Sequence, residues 1–76
     1  MVESLLLTAI AEILGLDREQ VEYLRDVDRG DIPQWDSLAH IQIYVIICEI
    51  TKTEYEFGKF MSIRSIKEIF DFARNQ

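Results

Sequence analysis

One hydroxyl in this chain stands where it can react. Ser37 follows Asp36 and precedes Leu38, where the turn residues Ile32-Pro33-Gln34-Trp35 give way to the apolar run Ala39 to Ile50. Asp36 suits the N-cap of a helix, because its carboxylate accepts amide hydrogens of the following turn. Ser37 then lies at the helix head, where first-turn amides lack intrahelical acceptors and the helix end carries partial positive charge. An anionic ester on that hydroxyl is well received there, so the chemistry indicated is covalent anchoring through a phosphate ester. His40, at i+3, shares a side of the helix with Ser37, as a nucleophile and its base would. An enzyme of that kind also needs an orienting carboxylate, an oxyanion hole and a substrate cleft. His40 is the only histidine and Cys48 the only cysteine, which gives no metal-ligand spacing. The chain therefore reads as a non-enzyme without catalytic residues or metal ligands, with His40 an exposed helical residue able to touch a phosphate or a partner.

Four helices are needed to hold that head in place. Val2, Leu5, Leu6, Ala9, Ile10, Ile13 and Leu14 recur at helical spacing, which predicts a first helix over about residues 2–14, stopped by Gly15. Leu16 to Trp35 keep no regular period, although a short turn around Arg18 to Tyr23 fits. So long a connection either carries function or packs across the molecule. The second helix runs from Ser37 to roughly Ile50. Leu38, Ile41, Val45 and Cys48 form one stripe, and Ile43, Tyr44, Ile46 and Ile47 extend the apolar surface almost around it. That run would also suit a buried strand, but no second strand exists to pair with it. A short third helix fits Glu54 to Met61, with Tyr55, Phe57, Phe60 and Met61 as core contacts, weakened by Gly58. Ser65-Ile66-Lys67-Glu68 matches a capping box opening a fourth helix over about 66–75, with Ile66, Ile69, Phe70 and Ala73 inward. Trp35 packs under the loop or lines the approach to Ser37, and Tyr44, Phe57, Phe60, Phe70 and Phe72 read first as core.

The 76 residues make one small domain, and an apolar content of 49% lets it fold despite a formal charge of −6. The acid excess lies entirely before Ser37: residues 1–36 hold nine acids and three bases, residues 37–76 five of each. Such a field repels nucleic acid and anionic membrane and favours basic protein surfaces, or else simply solvates an acidic loop. The longest apolar run, Ile43 to Cys48, is too short to span a bilayer, and Met1-Val2-Glu3 lacks a basic signal start. A cytoplasmic location is expected. Cys48, in an apolar helical stretch, is expected to be buried and inert.

Trp35-Asp36-Ser37-Leu38-Ala39-His40-Ile41-Gln42-Ile43 resembles the attachment segment of acyl carrier proteins, the small helical carriers of fatty-acid, polyketide and related pathways. The resemblance extends over nearly the whole chain, from the apolar first helix and acidic loop to the final amphipathic helix. It implies an all-α four-helix bundle over residues 1–76, with a long loop between the first two helices and a short third helix. It also implies that Ser37 carries 4′-phosphopantetheine from coenzyme A, whose thiol holds an acyl group as a thioester, with Asp36 and Leu38 flanking the attachment. The implied partners are a phosphopantetheinyl transferase and the enzymes that load and remove the cargo, with the carrier monomeric. Fatty-acid carriers place several acids along the second helix. Here Glu49 is the lone acid after the cap, and Gln42, Cys48, Ile50 and Thr51 stand in that region. Partner recognition is therefore expected to use apolar contact through Ile43, Tyr44 and Ile47, with His40 beside them. Trp35-Asp36-Ser37-Leu38 with His40 is similar to discrete carriers of specialised pathways, which load hydroxyacyl, glyceryl, aminoacyl or polyketide units. The alternative is an unmodified helical adaptor of the same fold that uses the second helix as a docking face.

Overall fold

Apolar residues at helical spacing and well-placed stop signals produce an all-helical chain. The computed structural model describes residues 2–74, which form α1 (Val2–Leu14), α2 (Arg18–Tyr23), α3 (Ser37–Thr51), α4 (Phe57–Met61) and α5 (Ile66–Arg74), with a 3-10 turn at Arg29–Asp31. None of these helices is long and apolar enough to cross a membrane.

α1 buries Leu6, Leu7, Ile10, Ala11 and Leu14. It ends on Gly15 at φ 70°, and the Leu16 amide donates to the Ala11 carbonyl (2.9 Å) while the Gly15 amide donates to that of Glu12 (3.2 Å). This is the Schellman pattern that the glycine foretold. The turn expected around Arg18 to Tyr23 is α2, started by Asp17, whose amide donates to Gln20 Oε1 (2.9 Å), and anchored by buried Val21.

The segment between α2 and α3 packs across the molecule. Asp28 accepts from the Gly30 amide (2.8 Å) and pairs with the Arg64 guanidinium (2.8 Å). The Arg29 amide donates to the Arg64 carbonyl (2.6 Å), and the Lys67 amide to the Arg25 carbonyl (3.1 Å). Ile32 and Trp35 then turn into the core. Backbone groups that α4 and α5 leave unpaired at their junction thus find partners in this segment.

α3 packs most extensively against α1. α3 closes on Lys52 in the left-handed conformation, φ 54°. The third helix is shorter than expected: Glu54 to Glu56 are not helical, and α4 begins at Phe57. Tyr55 is buried there, with its hydroxyl donating to Thr51 Oγ1 (2.9 Å). At the start of α5 the Glu68 amide donates to Ser65 Oγ (3.2 Å), but the Glu68 carboxylate accepts from the Arg64 amide (2.7 Å) rather than from that of Ser65. The capping box is thus displaced by one residue at its return bond, and Asn75, expected to end the helix, lies outside the described residues.

Candidate functional site

The site is the head of α3. Asp36 has extended φ/ψ and its Oδ1 accepts from the Ala39 amide (2.8 Å), while its carbonyl accepts the first intrahelical bond, from the His40 amide (3.0 Å). Those two bonds account for the third and fourth amides of the turn. The amides of Ser37 and Leu38 precede the first helical acceptor and so point out of the helix end. Ser37 is the first helical residue and is exposed, and Leu38 beside it is 64% exposed. An esterified Ser37 oxygen would stand in water next to two outward amides and the positive pole of a fifteen-residue helix.

On the buried side of α3 lies a polar cluster that joins His40 to Trp35 before the helix, Arg29 of the 3-10 turn and the Phe60 carbonyl of α4. His40 is 1% exposed, and its Nδ1 accepts from Trp35 Nε1 at 3.0 Å. Its Nε2 lies 2.9 Å from the Phe60 carbonyl oxygen of α4. An indole N–H only donates and a carbonyl only accepts, so the ring must be the neutral tautomer with its proton on Nε2. From the 3-10 turn, Arg29 Nη1 sits 3.3 Å from both ring nitrogens. The in-plane positions being taken, this is a charge set against the ring rather than a third directed hydrogen bond. The same guanidinium faces the Met61 and Ile63 carbonyls at 3.5 and 3.4 Å. Burial, opposed by the hydrogen bond to Phe60 and helped by the positive charge of Arg29, holds the His40 imidazole below its ordinary pKa of 6.5.

This geometry corrects the expectation that His40 is an exposed residue of a docking face. Its ring points inward because Ala39, His40, Ile43 and Ile47 form the stripe of α3 that α1 and α4 cover. Nor does it stand as base to Ser37, since both ring nitrogens are engaged within the core. Ile43 and Ile47, expected to meet partners, are likewise fully buried, and Tyr44 is half-buried, edge-on to Phe57 (4.8 Å between ring centres). The outward stripe is instead Leu38, Ile41 and Val45, the latter two 46% and 48% exposed. Ile41 and Val45 also line a shallow groove between α1 and α3 with Glu12, Ile13, Gln42 and Ile46. Val45 lies about 12 Å along the helix axis from Ser37, at ~1.5 Å per residue. Cys48, expected buried, is half-buried. Phe57 and Met61, expected in the core, are 39% and 45% exposed, whereas Phe60 and Phe70 are buried and Phe72 partly so.

The residue pair that sequence reasoning passed over is Trp35 with His40. In helix coordinates they occupy the position before the N-cap and the fourth helical residue, which side chains commonly bridge as a staple. That five-residue spacing across Asp36 was the signal.

No protein-family model matches the chain, and neither a curated protein nor a solved structure does.

Proposed function

We propose that this chain is an acyl carrier of the phosphopantetheine type, a four-helix carrier in which Ser37 is the attachment residue and α2 elaborates the long connection. The observation that carries the reading is an exposed serine at the first position of a long, capped helix, within a segment that resembles the carriers' attachment sequence. When bound, 4′-phosphopantetheine supplies a thiol that holds an acyl group as a thioester. The chain's own residues do the rest. Asp36 fixes the start of α3, the outward amides of Ser37 and Leu38 and the helix pole favour the ester's negative charge, and Leu38, Ile41 and Val45 present an apolar surface to the enzymes that load and unload the arm. The residues fit such a group, because an ester at Ser37 displaces no hydrogen bond of the cap.

Incubation with coenzyme A and a phosphopantetheinyl transferase, read by intact-protein mass spectrometry, is expected to show one added phosphopantetheine on the wild type and none on Ser37→Ala. Absence of the addition, or addition at another residue, overturns the reading.

The exposed apolar stripe of α3 favours a second reading, an unmodified adaptor that docks through this face. An adaptor binds its partner equally well with Ser37 replaced, whereas a carrier loses cargo transfer.

A further inference from the structure

We propose that Trp35 and His40 form a protonation-sensitive staple at the head of α3, which makes His40 a positioning residue for Ser37. The effect on Ser37 modification rests on the carrier reading, while the staple itself does not.

A helix staple ordinarily joins two apolar side chains, one before the N-cap and one a turn inside, and it sets the angle at which the chain meets the helix. Here the two side chains are also joined by a directed bond, Trp35 Nε1 to His40 Nδ1 at 3.0 Å, with the ring centres 5.8 Å apart and the ring planes inclined at 27°. The bond exists only while Nδ1 carries a lone pair. Adding a proton there sets one N–H against another, so the contact must part.

The surroundings offer that proton nothing. α4 presents the Phe60 carbonyl, already taken by Nε2–H, and the Phe60 ring 4.5 Å away. The 3-10 turn presents Arg29, a permanent cation at 3.3 Å. Arg29 is itself held by the carbonyls of Met61 and Ile63, so it cannot swing aside without losing them. The segment before α3 presents Trp35, which does not titrate. A charged imidazole therefore meets two repulsions, and the yielding element is the short stretch holding Trp35, Asp36 and Ser37. Protonation loosens the residue two places before Ser37.

Trp35 and His40 are the only tryptophan and the only histidine, so one indole N–H resonance and one imidazole signal report the event. Between pH 8 and pH 5 the indole resonance of the wild type is expected to titrate with the imidazole, with a midpoint below 6.5. His40→Gln supplies an amide oxygen for the indole and an N–H for the Phe60 carbonyl without a titrating proton, and its indole signal is expected to stay flat across that range. In Trp35→Phe the imidazole no longer loses a partner on protonation. Its midpoint is expected to rise by about half to one pH unit, the proton-affinity equivalent of one net hydrogen bond. An indole that titrates equally in His40→Gln, or an unchanged midpoint in Trp35→Phe, overturns the staple.

The positioning role is read by transferase modification of wild type and His40→Gln, each compared across the same pH range. Their rate ratio cancels the transferase's own pH dependence, and it is expected to fall as the wild-type indole titrates. A constant ratio overturns the role. Absence of modification in every variant at every pH overturns both the role and the carrier reading, while a titrating indole would still show the staple.

Discussion

Two isoleucines two residues apart on α3 provide a direct test of which side of the helix faces water. Ile43→Ala and Ile41→Ala remove the same three carbons from the same helix, but Ile43 is fully buried and Ile41 is 46% exposed. Three buried carbons at ~0.8 kcal/mol each come to about 2.4 kcal/mol. The incompletely filled space left in the buried core raises the expected loss to about 3–4 kcal/mol. At Ile41 the carbons already meet solvent, and alanine is the better helix former, so the net change is expected within about 0.5 kcal/mol. A domain of this size holds roughly 4–11 kcal/mol in total, so the first substitution consumes a large share of it and the second almost none. Equilibrium urea unfolding followed by far-ultraviolet circular dichroism reads both. Should Ile43→Ala leave too little folded baseline, Ile43→Val is expected to cost about 0.5–1.5 kcal/mol and serves in its place. Equal costs at the two positions, or a larger cost at Ile41, would refute the packing of α3 described above and with it the assignment of Leu38, Ile41 and Val45 to the outer face.

Lys52 closes α3 at φ 54°, a conformation that costs a residue with a Cβ about 1 kcal/mol. Lys52→Gly is therefore expected to raise stability by up to that amount, measured by the same urea transition. Asp28 is held below its ordinary pKa of 3.8, first by its side-chain bond to Arg64 and then by the Gly30 amide. A carboxylate depressed in this way contributes stability that is present above its unfolded pKa and lost as pH falls through the folded value. Asp28→Asn is thus expected to remove a component of acid destabilisation below about pH 4, seen in the stability of wild type and variant across pH 2 to 5.

His40 shows where sequence reasoning reached its limit. On a helix apolar nearly all round, Ile43 and Ile47 on one stripe and Leu38, Ile41 and Val45 on the other satisfy the same spacing, so periodicity alone cannot say which stripe is covered. The polar histidine on the first stripe then favoured exposure, because an isolated imidazole is costly to bury. The cost is offset by partners distant in the chain, the Phe60 carbonyl twenty residues on and the Trp35 indole, which only the folded arrangement brings to its two nitrogens. Tyr55 is buried as expected, with its hydroxyl on Thr51, but it precedes α4 instead of lying within it.

Local chemistry by itself determined the helix ends and therefore the site's address: Gly15 stopping α1, Asp36 capping α3, Ser65 and Glu68 opening α5, and Ser37 placed at a helix head. Each of these depends on bonds spanning a few residues, so the order of residue types suffices to read it. The tertiary structure decided which face of α3 meets solvent, where the segment from Leu24 to Trp35 docks, and what state His40 occupies. Those outcomes depend on which groups meet across the fold, since burial is a property of the neighbours that cover a residue and not of the residue itself.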